Sequence, residues 1–326
     1  MKNVRSEPKR KNDPDVQALI DAGGGLQDPR SLVLSQARKL VALYTRFESS
    51  GVEPRERLMH LASLNGLTVE SMSIERRGVE RRDALIFFDP TSKRGTIFYN
   101  PDRSEGRVNF SIAHEIAHTF FPSTSGGVRF REMCESDSRE ANQLERLCDA
   151  GAAELLMPKE QFQKCVGQHW TMEALPRLTE HFGSSVEATA FRLASAHPGI
   201  AAAGSLRFRR TKGDQAKAEA AEEAEQKRLF PISSACADLN IASPKYRRQS
   251  FHASEGSPGF HTVPWNKSFD EESAAYGPVP DDAIAAYETL PNGADEIGMI
   301  EFMRAPFQRD EASLLRPDLL FFWRRV

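Results

Sequence analysis

The chain has 326 residues, enough for one large domain or two of ordinary size. Its formal net charge of -3 leaves no global basic field of the kind that gathers nucleic acid non-specifically. No run reaches the roughly 18 uninterrupted apolar residues that a membrane span needs.

The first residues, Met-Lys-Asn-Val-Arg-Ser-Glu-Pro-Lys-Arg-Lys, are basic but no apolar stretch follows, so they do not read as a secretory signal. Residues 1–30 are expected to be disordered, closing in Gly-Gly-Gly-Leu-Gln-Asp-Pro. Apolar residues at helical spacing then predict a helix over 32–47 and a second over 55–65, ending before Gly66. Gly66-Leu-Thr-Val opens a strand or turn. The segments 84–88 and 95–99, separated by Asp-Pro-Thr-Ser-Lys-Arg, read as paired strands around a turn.

The next segment carries the chemistry. Ser-Ile-Ala-His-Glu-Ile-Ala-His at 111–118 sets His114 and His118 four positions apart, with Glu115 directly after the first. Residues four apart share one helix face, so both imidazoles can reach a single metal ion. Glu115 then lies beside the ion's open position, where a carboxylate can take a proton from water. A catalytic zinc site of this type needs a third protein ligand.

Residues 137–158 predict the helix that supplies it. Asp137 and Glu140 form a capping box at its start, and Pro158 ends it. Ala141, Leu144, Cys148, Gly151, Ala152 and Leu155 make its core stripe. Glu145 and Asp149 lie at the edge of that stripe, where two carboxylates repel each other by roughly 0.2–0.5 kcal/mol unless a cation is near. Glu145 is read as the third ligand, and Asp149 as the acceptor of the spare ring N–H of a ligating histidine. Glu154 is the competing candidate on another helical face. The other reading of Glu145 and Asp149 is a solvated edge paired with Arg139, Arg146 or a distant base.

Residues 172–195 read as two short helices around His-Phe-Gly-Ser-Ser. The second carries one arginine and several alanines, so it makes a poor recognition helix, and direct nucleic-acid binding is not expected. His169, His181, His197 and Tyr99 are candidates for a transition-state proton donor, and spacing selects none of them. Residues 206–230 form an alanine- and charge-rich run, read as an exposed helical linker or insertion. Residues 231–326 read as a smaller α/β domain, with strands around 297–303 and 319–326, and no ligand motif marks it. His252 and His261 read as loop residues. Cys134, Cys148, Cys165 and Cys236 form no paired motif, which predicts reduced thiols in a cytoplasmic protein.

Taken together, Arg107-Val-Asn-Phe-Ser-Ile-Ala-His-Glu-Ile-Ala-His-Thr-Phe, Glu145-x-x-x-Asp149 and Ala-Glu-Leu-Leu-Met-Pro resemble the ImmA/IrrE family of metallopeptidases. The resemblance extends upstream over the paired strands and downstream to Phe182-Gly-Ser-Ser-Val-Glu-Ala-Thr-Ala-Phe. It covers about residues 35–205. It implies an α+β fold: a zincin-like metallopeptidase domain over 31–205 with a small mixed sheet and active-site helices, followed by the C-terminal α/β domain. It also implies a zinc-dependent endopeptidase whose protein substrate is a helix-turn-helix transcriptional repressor, cut to relieve repression in a mobile element, a phage or a stress response. By analogy, the strand at 95–99 offers an edge to an extended substrate.

Four positions depart from the family pattern. Ala117 occupies a place where glycine is common, and Asp149 one where asparagine is common. Cys148 and Gly151 replace alanine and phenylalanine, which predicts looser packing beneath the ligand carboxylate. Two other function classes compete: a non-cleaving module that binds a repressor or toxin, and a direct DNA-binding regulator. An intact Glu115 argues against the first, and the acidic net charge against the second.

Overall fold

The computed structural model describes residues 12–25, 28–45, 52–72, 83–89, 94–122, 141–226, 243–254, 267–269, 271–276, 284–290, 297–305 and 317–325. The chain divides into two compact units, Met1–Cys165 with Arg177–Ser185, and Val166–Pro176 with Val186–Val326. Helix and sheet are mixed in both. No helix among the described residues is long and apolar enough to cross a membrane.

The first unit opens with helix α1 (Pro14–Ala22), where disorder was expected. Proline at the first turn and the Asp13 side chain accepting from Asp15 N start it. Val16 and Leu19 are buried and hold it in place against Val33, Ala117, Phe121, Leu147 and Cys148. That long-range packing is invisible to local composition. Helices α2 (Pro29–Tyr44) and α3 (Pro54–Leu64) follow, close to their predicted bounds and each again begun by proline.

Strands β1 (Leu67–Ser71), β2 (Ala84–Asp89) and β3 (Arg94–Tyr99) form a sheet in the order β1-β3-β2. β2 and β3 pair antiparallel, as their patterns predict, with Ile86 opposite Ile97. β1 runs parallel to β3, with Val69 opposite the same Ile97. β3 is therefore the central strand and its edges are both taken. The expectation that 95–99 presents an edge to a substrate is wrong, and among the described residues β1 and β2 are the outer strands. Sequence alone reads this segment as a strand or turn, and the alternation along Leu67, Thr68, Val69 and Glu70 does not say which strand it pairs with.

Helix α4 (Glu105–His118) lies against this sheet and buries Val108, Ile112, Ala113, Ile116 and Ala117. Its first half is fixed by buried Asn109, which donates to Gly183 O at 2.8 Å and accepts from Arg55 Nε at 3.2 Å. Gly183 has φ +58°, and a Cβ there would sit 2.7 Å from Asn109 Nδ2, so only glycine lets this chain turn approach α4. Arg103 and Arg107 both reach Asp83 at the head of β2, at 2.8 and 2.6 Å.

Helix α5 (Ala141–Leu156) packs on α4 and α2. The predicted capping pair Asp137 and Glu140 lies outside the described residues. Gly151 sets the approach of α5 to α4. A Cβ there would meet the Ala117 Cβ at 2.9 Å and Val33 Cγ1 at 3.0 Å, closer than real methyl groups come. The two departures from the family pattern thus complement each other: the extra methyl of Ala117 fills the space that Gly151 leaves. Packing here is tight, contrary to the looser packing expected. Helix α6 (Lys159–Val166) and the last turns of α7 (Leu175–Phe182) complete the unit, with Phe162 stacked on Phe182 at 5.4 Å.

The second unit is built on a five-stranded antiparallel sheet, order β5-β4-β8-β7-β6, from β4 (Ala201–Arg209), β5 (Lys245–Ala253), β6 (Ile284–Thr289), β7 (Ile297–Arg304) and β8 (Leu319–Arg325). One face buries Leu206, Tyr246, Ile300, Phe302, Phe321 and Trp323. Helix α8 (Val186–Ala196) lies against β4, β5 and β8. By their contacts α8 and β4 group with this unit, β4 pairing with β5 and β8. Within 206–230, residues 206–209 are strand and Lys212–Gln226 is the predicted charged helix, α9. His252, read as a loop residue, stands on β5 with its ring stacked on Phe191 at 4.2 Å. His261 lies outside the described residues.

Gly151→Ala should lower stability by about 1–3 kcal/mol, because the added methyl has no space. Pairing it with Ala117→Gly should recover part of that loss, measured by denaturant unfolding of the single and double variants. Strictly additive losses would contradict the close approach of the two helices at this point.

Candidate metal centre

α4 is amphipathic with a wide buried face, and its last turn carries Ala113 to His118 into the interior. His118 is buried at 8% exposure and Glu115 at 4%. His114, one turn earlier, keeps its ring beside that of His118, with centroids 4.9 Å apart. Facing them, α5 presents Glu145, Cys148 and Asp149 at i, i+3 and i+4, the spacing that places three side chains on one helix face.

The nitrogens and oxygens sort cleanly by direction. His114 Nε2 lies 3.2 Å from His118 Nε2 and 3.4 Å from Glu145 Oε2. A tetrahedral ion with ligands at about 2.0–2.1 Å has ligand-to-ligand edges of about 3.4 Å. His114 Nε2 therefore stands at about such an edge from both His118 Nε2 and Glu145 Oε2. On the far side of the first ring, His114 Nδ1 is 2.9 Å from Asp149 Oδ1. With Nδ1–H donating to that carboxylate, the Nε2 lone pair is left facing His118 and Glu145. His118 has the same arrangement: its Nδ1 is 3.3 Å from Cys148 Sγ.

A second grouping of donors exists, since His114, His118 and Cys148 each place an atom within 4.8 Å of the others. Glu145, the third ligand in the sequence reading, is not part of that grouping. The two ring lone pairs of an imidazole diverge, so an ion on the Nε2 side of His118 is not on the side its Nδ1 presents to Cys148. With both Nε2 atoms turned to one ion, each Nδ1 stands beside a polar side chain, Asp149 Oδ1 for His114 and Cys148 Sγ for His118. Glu145 and Asp149 side chains are 35% and 53% exposed, so the centre opens to solvent on its α5 side.

Glu154, the competing ligand candidate, is buried for another purpose. Its Oε1 accepts from Arg38 Nε at 3.1 Å and from Lys159 N at 3.3 Å, joining α2 to the end of α5. The C-terminal carbonyl of α5 is held as well, with Leu156 O accepting from Arg57 at 2.5 Å. Of the proton-donor candidates, Tyr99 ends β3 with Arg55 over its ring at 5.9 Å. His181 sits edge-on to Phe182 at 4.7 Å. His197 lies in the second unit between Trp170 and Phe322, accepts from Gly199 N, and has its pKa lowered chiefly by burial. His169 is exposed.

Cys148 is the residue that sequence reasoning left out of the site. It was placed in the core stripe, and it is indeed fully buried. Its position three after Glu145 was the available signal, since i and i+3 share a face.

Comparison with known proteins bears on the same stretch. Residues 66–194 match the profile of the IrrE N-terminal-like domain. The chain resembles a Mycobacterium tuberculosis transcriptional regulator of known structure, with a TM-score of 0.50 and 14% identity over 95% of this chain and 81% of that one. At that identity the likeness is one of fold. No curated protein matches the chain in sequence.

The geometry ranks the two carboxylates. Glu145→Ala should remove stoichiometric binding of a divalent ion, whereas Asp149→Ala should weaken it by about 10–100-fold, the usual effect of losing a histidine's carboxylate partner. Chelator competition with zinc as the probe measures both. The reverse ranking would contradict the assignment.

Proposed function

We propose that the chain is a zinc-dependent endopeptidase acting on a helix-turn-helix transcriptional repressor, a reading supported by the match of residues 66–194 to the IrrE N-terminal-like domain. The observation that supports this reading is His114 Nε2 lying 3.2 Å from His118 Nε2 and 3.4 Å from Glu145 Oε2, one residue from a buried glutamate. A zinc ion held by those three side chains would polarise water and the scissile carbonyl when bound.

The chain's own residues do the rest. Glu115, in a largely dry setting at 4% exposure, is the general base. Its carboxylate takes a proton from the attacking water as the new C–O bond forms. It returns that proton to the amide nitrogen as the C–N bond breaks, so the amine leaves neutral. No covalent link between substrate and protein is needed. Asp149 holds the His114 ring in the tautomer that aims Nε2 inward. A structural zinc site, by contrast, favours four cysteine or histidine ligands and has no use for a glutamate at this position.

The substrate follows from the family resemblance and is the finer part of the proposal. Purified protein mixed with the repressor encoded beside its gene should yield discrete fragments that a chelator suppresses. Glu115→Gln should retain one zinc per chain by elemental analysis and yield no fragments. Cleavage by that variant at the wild-type rate would remove Glu115 from the mechanism. Co-purification without fragments, for the zinc-loaded wild type, would favour the non-cleaving module.

A further inference from the structure

We propose that Cys148 is a positioning residue for His118: its sulfur accepts the His118 Nδ1–H and so fixes the tautomer and ring angle that direct Nε2 at the metal. The inference deepens the proposed metal centre and rests on that reading. Three observations carry it. The Sγ to Nδ1 distance is 3.3 Å, a hydrogen-bonding distance for a sulfur acceptor. Cys148 is fully buried and His118 nearly so, which shields the contact from competing water. The other ring nitrogen of His118 points the opposite way, 3.2 Å from His114 Nε2.

Ligation through Nε2 requires its lone pair, so the ring proton must sit on Nδ1. A proton on a buried Nδ1 needs an acceptor, because an unmatched buried N–H costs about 1–3 kcal/mol. His114 meets this need with Asp149, which is next to Cys148 in sequence. A single turn of α5 therefore supplies one ligand and both ring acceptors. The pair is asymmetric for a reason of place: His114 lies toward the open side, where a carboxylate stays hydrated, while His118 lies inside, where a second carboxylate would be costly to bury. A thiol gives an acceptor there with little desolvation.

The same contact makes Cys148 a poor ligand. Sulfur on the Nδ1 side of the ring is turned away from the ion on the Nε2 side. Cobalt(II) placed in the wild-type protein should show tetrahedral d–d absorption without an intense thiolate-to-cobalt band in the near ultraviolet. Such a band would overturn the proposal and make Cys148 a ligand.

Three substitutions separate positioning from packing. Cys148→Ala should weaken zinc binding by about 10–100-fold in chelator competition. Cys148→Ser keeps an acceptor, although its shorter C–O bond draws the oxygen back from Nδ1, so it should bind zinc more tightly than Cys148→Ala without reaching wild-type affinity. Cys148→Val fills the volume with no acceptor and should bind zinc as weakly as Cys148→Ala. If valine restores affinity and serine does not, the residue only fills space and the proposal fails. These readouts do not involve cleavage. A chain that shows the predicted pattern yet cuts no repressor retains this inference and loses the peptidase reading. A chain that cuts the repressor while its zinc affinity ignores Cys148 does the reverse.

Discussion

The distance between two helices governs everything that the candidate centre can do. α4 brings two imidazoles and a glutamate on successive turns, and α5 brings a carboxylate, a thiol and a second carboxylate on one turn. None of these groups can share an ion unless the helix axes come close. Gly151 removes the side chain that would hold α5 off, and the Ala117 and Val33 methyls occupy the space it leaves. A glycine inside a helix costs about 1 kcal/mol relative to alanine, so the close packing must return at least that much. The rest of the first unit secures the same pair: α1 closes over their junction, Asn109 and Gly183 pin the start of α4, and Glu154 with Arg38 and Arg57 pins the end of α5.

Electrostatics adds a second constraint. Glu145 and Asp149 stand one turn apart on α5, and like charges at that spacing repel. The histidines moderate the repulsion, with His114 touching both carboxylates at 3.4 and 2.9 Å. A divalent ion would reverse it, since each ligand then faces a cation and each ring proton an acceptor. Ion binding and stability of the α4–α5 pair are linked for this reason. The arrangement explains why a helix face that is mildly unfavourable by itself is kept intact.

Much of this was legible in the residues. His-Glu-x-x-His, with Glu145 and Asp149 one turn apart downstream, depends only on helical period, and His114 lies beside His118, Glu145 and Asp149. The β2–β3 pairing was readable from two apolar runs around a turn. What failed depends on contacts between distant parts of the chain. α1 looked like a frayed terminus because its two buried residues, Val16 and Leu19, find their partners on α2, α4 and α5. β3 looked like an edge because the local pattern of β1, read as a strand or turn, does not name the strand it pairs with. The strand partners of β4, at 245–253 and 319–325, cannot be read locally either. Cys148 looked like core because a buried thiol is an ordinary core residue. Only the ring nitrogen 3.3 Å away marks it as more.

The centre itself can be tested in one experiment: a crystal structure of the zinc-loaded protein, with anomalous scattering recorded at the zinc edge. The account predicts a single peak within about 2.0–2.2 Å of His114 Nε2, His118 Nε2 and a Glu145 carboxylate oxygen, with a fourth position left to water. A peak bonded to Cys148 sulfur at about 2.3 Å, or one with Glu145 turned away from both imidazoles, would contradict it.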